Sequence, residues 1–182
     1  IKSDPVAPLV PSYNAILVKL LARALVEHPA LNSSLDGDEI ITWEAVNIAV
    51  AVDTEAGLIV PVVRDVQAKS LPVLAAELDS LLARAQEGKA LPDELTGSTF
   101  TLTNLGVYDV DAFTPIINPP ECAVLGVGRF RETWVMDAGQ PVARRMAALS
   151  LTFDHRLVDG APAARFLQRV KQLLERPYLA FL

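Results

Sequence analysis

Apolar residues in this chain recur in two rhythms. From Ile16 through Leu17, Leu20, Leu21, Ala24 and Leu25 they return every three or four positions, the spacing of one helical face. Ser12 is placed to cap that helix and Pro29 to stop it. The rhythm returns in Leu71, Leu74, Leu78, Leu81, Leu82 and Ala85, with Ser70 as cap, Pro72 in the first turn and Gly88 as C-cap. It appears a third time in Phe166, Leu167, Val170, Leu173 and Leu174, within a run over 161–176 that ends before Pro177. Between these helices the apolar residues form short continuous or alternating runs, read as strands over 46–52, 58–63, 99–103, 122–127, 133–136 and 146–153. Turn residues separate them at 35–38, 53–57, 104–106 and 137–139, the last expected to join the strands over 133–136 and 146–153. Pro61 makes its run an edge or a bulge. Residues 109–120 read as loop, and 1–11, with three prolines, as an irregular lead-in. This order predicts an α/β chain of the α+β sandwich kind: a mixed sheet with helices on one face, not a doubly wound nucleotide-binding sheet.

Composition narrows the class. The chain has 182 residues, 51% of them hydrophobic and 21% charged, enough to build one core over residues 1–182. A net charge of −6 without a Lys or Arg block argues against nucleic acid as a partner. No apolar run approaches the ~20 residues of a membrane-spanning helix. A single cysteine, Cys122, excludes an internal disulfide and suits a reducing compartment. The chain opens on Ile1 without the architecture of a signal peptide, which suggests a processed product or part of something longer.

Candidate chemistry is sparse. Gly126-Val127-Gly128 starts like a dinucleotide fingerprint, but Arg131 replaces the third glycine and no helix follows. There is no Walker loop, no Gly-x-Ser-x-Gly elbow and no His-Glu-x-x-His, and two histidines and one cysteine so far apart argue against a metal site. Apolar neighbours make Cys122 a buried structural thiol rather than a nucleophile. His28, in the last turn of the first helix, reads as structural. His155 is different: it sits where a strand-like run meets a helix-like one, on a loop, in Asp154-His155-Arg156-Leu157-Val158-Asp159-Gly160. From spacing alone, His155 and Asp159 could be a loop histidine and a helix N-cap, and Thr103 a hydroxyl in a turn.

The stretch 154–160 resembles the active-site motif of the dihydrolipoamide acyltransferases, the cores of 2-oxo acid dehydrogenase complexes. Three further stretches resemble that family in the same order: 52–65 its central hairpin, 100–106 its hydroxyl-bearing strand, and 113–121 the loop that follows. The resemblance runs from the first helix to the C-terminus. It implies the chloramphenicol-acetyltransferase-like fold of coenzyme-A-dependent acyltransferases, a homotrimer with active sites between subunits, and assembly into a cubic or dodecahedral core. It also implies acyl transfer between a dihydrolipoyl thiol and coenzyme A, with the lipoyl group carried on a separate domain and no metal. The family's decarboxylase and dihydrolipoamide dehydrogenase partners would engage through lipoyl and peripheral-subunit-binding domains that are not in this chain. A location in bacterial or archaeal cytoplasm, or in the mitochondrial matrix of a eukaryote, goes with that reading.

By the same resemblance His155 is the general base, Thr103 the oxyanion donor from a neighbouring subunit, and Asp159 the residue that holds the His155 loop. A thiol of pKa about 8.5 must lose its proton to attack, and an imidazole, ordinarily near pKa ~6.5, suits that task. Thr103 stands where many members have Ser. The family's usual N-terminal portion, with an Arg that pairs with the motif Asp, is expected to be missing. Asn104-Leu105-Gly106 favours acetyl transfer, since succinyl-transferring members tend to carry a second Gly there; branched-chain transfer stays open. Arg64, Lys69, Arg129 and Arg131 are candidates for the coenzyme A phosphates. The apolar tail over 178–182 would dock into a neighbouring trimer or pack on its own domain. Two other functions stay open: a catalytically silent scaffold, and a free-standing coenzyme-A acetyltransferase acting on a small alcohol.

Overall fold

The computed structural model describes residues 11–55 and 57–181, so the lead-in expected over 1–11 lies outside the described residues except for Pro11. Helix α1 (Tyr13–Glu27) starts as its sequence indicates, with the Ser12 hydroxyl accepting from the Ala15 N–H at 3.2 Å. Leu17, Leu20, Leu21 and Leu25 are buried, and so are Ala15, Ala22 and Ala24. A helix covered on so much of its surface belongs in the middle of a layer. α1 indeed packs on both α2 (Leu71–Gln86) and α3 (Gly160–Glu175). Lys19 on α1 caps the turn before α2, its ammonium donating to the carbonyls of Val66, Gln67 and Lys69.

The strands in chain order are β1 (Ser33–Asp36), β2 (Glu39–Thr42), β3 (Ile48–Val50), β4 (Val52–Thr54), β5 (Gly57–Ile59), β6 (Val62–Val63), β7 (Phe100–Asn104), β8 (Ala123–Val127), β9 (Arg131–Asp137), β10 (Gln140–Met146) and β11 (Leu149–Phe153). Five of them form a mixed sheet in the order β11-β8-β7-β3-β6. The β3–β7 and β7–β8 pairs are parallel, and the two outer pairs antiparallel. Ile48, Val50, Phe100, Leu102, Ala123, Leu125 and Val127 share one core with the three helices, and Leu149, Leu151 and Phe153 pack against it. The helices therefore cover one face, and alternation along each strand sends Thr101, Thr103, Val124, Gly126, Ser150 and Thr152 to the other.

Two strand boundaries differ from those expected. The apolar runs over 46–52 and 58–63 are each divided: β3 and β6 pair in the main sheet, while β4 and β5 form a separate hairpin. Pro61, without an N–H, lies at the second division, and β6 is the edge strand that the proline anticipates. The strand read over 146–153 is two. β10 turns back on β9 through Ala138 and Gly139, both at positive φ, and β11 begins after Ala147-Ala148. β10 carries Pro141, Arg144 and Arg145 and is mostly exposed. A solvated two-stranded ribbon needs no apolar face, so its pattern carries no strand signal. The β1–β2 hairpin, legible beforehand only as a turn, is closed by Gly37 at φ +58°.

Two features read as structural, His28 and Cys122, take that role. The tail, expected to dock into a neighbouring trimer or to pack on its own domain, packs in part on its own domain. His28 caps α1 with its backbone N–H and meets Phe166 edge-on at 5.9 Å. Cys122 is buried, and burial pushes its thiol above the usual range. In the C-terminal 3₁₀ turn (Pro177–Phe181), Leu179 and Ala180 pack against the core of their own domain, while Tyr178 is exposed.

The face opposite the helices holds a buried carboxylate, Glu121. It accepts hydrogen bonds from the hydroxyls of Ser98 and Thr101 and from the Asn118 amide. Burial raises its pKa from an ordinary value near 4.5, against the opposing effect of those three donors. A carboxyl raised in the folded state contributes stability that is full below pH ~4.5 and fades as pH climbs through the folded-state value. In urea titrations, the parent should therefore lose stability relative to Glu121→Gln as pH rises from about 4.5. Glu121→Ala should destabilise by about 1–3 kcal/mol at neutral pH, because two hydroxyls lose their partner. A pH-independent difference between parent and Glu121→Gln would show that the carboxyl is not raised.

Candidate active site

β11 hands the chain to a loop that is fastened at both ends. The Asp154 N–H donates to the Cys122 carbonyl at 2.8 Å, and the Asp154 carbonyl accepts from Leu157 and Val158. The Asp154 carboxylate accepts from the Arg156 backbone N–H at 2.9 Å, which closes an Asx turn around His155. The same carboxylate holds the Arg156 guanidinium through its Nε and Nη2, and that pairing keeps its pKa below the ordinary carboxylate range. Beyond the turn, Val158 is buried and anchors the loop to the core. His155 projects outward between these fastenings, its side chain 71% exposed and its ring 5.8 Å from that of Phe153.

Asp159 is the N-cap residue of α3 by backbone conformation, yet its side chain makes no capping hydrogen bond. Its Oδ1 lies 3.7 Å from His155 Nδ1, beyond hydrogen-bond length but within reach of a charge interaction. The residue that fastens the His155 backbone is Asp154. An Asp one residue ahead of a turn is the signal that could have identified it.

Thr103 is half-buried near the end of β7, opposite Gly126 of β8. The loop that follows is clamped. Asn104 bonds Asn14 through its amide nitrogen and the Gly106 N–H through its oxygen. Gly106 and Gly128 let backbones approach so closely that a Cβ on Gly128 would stand 1.9 Å from the Asp111 carbonyl oxygen. Arg129 ties down the carboxylates of Asp109 and Asp111. The sequence singles out Asn104 only as part of the acyl-preference stretch and Arg129 only as a phosphate candidate. Their bracing role is not anticipated there, although paired glycines at two strand ends mark such close approach.

One chain does not bring Thr103 and His155 together. β11 runs antiparallel to β8, so Phe153 faces Ala123 at the start of β8, whereas Thr103 faces Gly126 near its end. His155 lies two residues beyond Phe153. At about 3.3 Å per residue and about 4.8 Å per strand, the two side chains are separated by roughly 15 Å along the sheet and a further 10 Å across it. No single reacting atom can touch both within one protomer.

The candidate cations for phosphate are already engaged. Arg64 donates to the carbonyls of Asp93 and Thr96, Lys69 pairs with Glu77, Arg129 with Asp109 and Asp111, and Arg131 lies 3.5 Å from Asp111. A cavity of about 780 Å³ forms an apolar groove between α1 and α3, lined by Leu17, Leu20, Phe130, Leu167 and Leu174. It includes none of the three candidate site residues, so size alone does not locate the chemistry. Among the described residues no cluster of three or more His, Cys, Asp or Glu could hold a metal ion.

Residues 4–182 match the catalytic-domain model of the 2-oxoacid dehydrogenase acyltransferases. The chain belongs to that family. It is 44% identical over 170 residues to the Bacillus subtilis dihydrolipoyllysine-residue acetyltransferase component of the pyruvate dehydrogenase complex, a match covering 92% of this chain and 38% of the relative. It is 38% identical over 165 residues to the Haemophilus influenzae succinyltransferase component of the 2-oxoglutarate dehydrogenase complex, covering 91% and 40%. The chain thus spans about two fifths of the length of these curated relatives.

Two solved structures superpose with a TM-score of 0.92 at 41% identity, each covering 96% of this chain and 73% of the other. One is the cubic core of the pyruvate dehydrogenase multienzyme complex. The other is an Azotobacter vinelandii dihydrolipoamide acetyltransferase, studied for the role of one Ser, one His and one Asn in its catalytic mechanism. Chloramphenicol acetyltransferase superposes at a TM-score of 0.55 and 17% identity over 90% of this chain, a likeness of fold alone. The mixed sheet with helices on one face is thus the fold that the sequence resemblance implied.

Proposed function

We propose that this chain is the acyl-transferring core of a dihydrolipoamide acyltransferase, moving an acyl group between dihydrolipoyl and coenzyme A thiols. The observation that carries the reading is a spacing. In the Azotobacter enzyme the studied His stands 52 positions after the Ser and 4 before the Asn. Thr103, His155 and Asp159 stand at the same intervals.

The chemistry follows from what these groups can do. With Nδ1 of His155 turned toward Asp159, Nε2 is the ring atom left to face a substrate. It takes the proton of the attacking thiol, and the thiolate sulfur bonds to the thioester carbonyl carbon. The carbonyl oxygen becomes an oxyanion, held by the Thr103 hydroxyl of a neighbouring subunit. The intermediate collapses by breaking the original carbon–sulfur bond, and the departing sulfur receives the proton from His155. Asp159 lies on the Nδ1 side of the ring, 3.7 Å away, opposite the nitrogen that moves the proton. The exposure of His155 and its distance from Thr103 both support a site completed by a second copy, since a neighbour would also shield the imidazole from water.

Acetyl is the proposed acyl group, supported by Asn104-Leu105-Gly106. We place the protein in a homotrimer within a larger core, in a cytoplasm or mitochondrial matrix, with coenzyme A and a lipoyl arm as substrates. The test is acyl transfer to free dihydrolipoamide from acetyl-, isobutyryl- and succinyl-coenzyme A, with mass measured by analytical ultracentrifugation. Fastest transfer from the acetyl donor by a multiple of three chains is expected. A faster succinyl or isobutyryl reaction would reassign the acyl group, and a monomer that transfers at full rate would overturn the interfacial site.

A further inference from the structure

The apolar groove between α1 and α3 takes no part in the candidate site. Leu17 and Leu20 of α1 line it and are buried, while Leu149 at the start of β11 and Leu167 and Leu174 of α3 are only half-buried along it. Tyr13, in the first turn of α1, also lines it and stacks on Phe130, with ring centroids 5.2 Å apart. The other end of α1 meets the first half of α3, where Glu27 pairs with Arg169 and His28 meets Phe166. The first turn of α1 therefore lies toward the second half of α3, beside Leu174. The chain enters α1 at this end, through Pro11 and the Ser12 cap. Pro11 and Ile16 stand on either side of that cap at the two positions of a hydrophobic staple, which sets the entry of the chain on the side of the later residue. Ile16 lines the groove.

We infer that Pro5-Val6-Ala7-Pro8-Leu9-Val10-Pro11 of the same chain docks in this groove as an extended, polyproline-type segment. Residues 1–10 lie outside the described residues; their sequence and the lining of the groove support the docking. All seven residues are apolar, and proline recurs at every third position. That is the repeat of a polyproline II helix, in which seven residues span roughly 22 Å. The α3 wall of the groove, from Ala164 to Glu175, is roughly 17 Å long. Polarity matches as well as length. Three of the seven residues have no N–H to satisfy, and a wall of helix side chains offers few backbone partners. Aromatic rings beside apolar side chains are the surface on which such segments are recognised. With a period of three, Val6 and Leu9 share one edge about 9 Å apart, against roughly 10 Å between Leu167 and Leu174 along α3. Running back from Pro11, Leu9 meets Leu174 and Val6 meets Leu167.

The experiment introduces cysteine pairs into the full-length protein and follows disulfide formation under mild oxidation, by free-thiol titration and non-reducing electrophoresis. The native thiol, Cys122, is buried and does not compete. Leu9→Cys with Leu174→Cys, and Val6→Cys with Leu167→Cys, should each close within one chain, because docking brings the paired Cα atoms within the ~7 Å that a disulfide bridges. Leu9→Cys with Ile116→Cys, an exposed position on the sheet face opposite the helices, should stay reduced. Bonds between chains would seat the segment on a second copy, and failure of both groove pairs would leave the groove to another occupant. Either result overturns the inference. A second measurement needs no bond: Val6→Asp with Leu9→Asp should raise the fluorescence of added anilinonaphthalene sulfonate severalfold, with circular dichroism at the parent level. Fluorescence equal to that of the parent overturns the docking as well.

Discussion

Replacing His155 by Ala should lower acyl transfer by about a hundredfold to ten-thousandfold, the range expected when a positioned general base is lost. The effect should fall on turnover and spare assembly. His155 is 71% exposed and makes no hydrogen bond in the described protomer, so its removal opens no cavity and leaves no buried partner unsatisfied. Sedimentation and thermal midpoint should match those of the parent. The measurement is kcat for acetyl transfer to dihydrolipoamide beside analytical ultracentrifugation. A variant with near-parent turnover would refute the general base, and one with reduced mass would make His155 an interface residue instead. Asp154→Ala offers a graded comparison: it removes the Asx turn but keeps the imidazole, so turnover should fall by less.

Thr103→Ala should cost about a hundredfold to a thousandfold in kcat, as loss of an oxyanion donor does. Thr103→Ser, which keeps the hydroxyl, should stay near the parent. The sharper experiment exploits the sheet register, which puts Thr103 and His155 at opposite ends of β8. If each site takes Thr103 from one subunit and His155 from another, two inactive variants can complement each other. After co-refolding equal amounts of Thr103→Ala and His155→Ala, about one quarter of the sites in randomly mixed oligomers should hold both native residues. Activity near that fraction of the parent is expected. Activity that stays at the level of the separate variants would place both groups in one protomer, against the separation described here, or remove one of them from the reaction.

The three helices were legible in the sequence because their determinants are local. Apolar spacing and the Ser12 and Ser70 positions placed their starts, and Ser12 caps as expected. The inner strands over 100–104 and 123–127 were legible for a related reason, since burial on both faces leaves a continuous or tightly alternating apolar run. The motif around His155 put an imidazole on a loop at a strand end, where the structure has it. Strand division was less legible. Nothing local in 46–52 says that Ile48 pairs in one sheet and Val52 in another, and β10 is too polar to announce itself.

The candidate site shows where the boundary falls. The amino-acid sequence yields a short list of candidates: resemblance to the family nominates His155, Asp159 and Thr103 for acyl-transfer chemistry, where spacing alone leaves a loop histidine, a helix cap and a turn hydroxyl. Tertiary structure alone decided their relation in space. The antiparallel placement of β11 beside β8 separates His155 from Thr103, and the crossing of 113–121 over the sheet puts Phe113 above Gly126 and Glu121 beside Thr101. Strand register and direction are settled by burial summed over distant segments, and no window of neighbouring residues contains that sum.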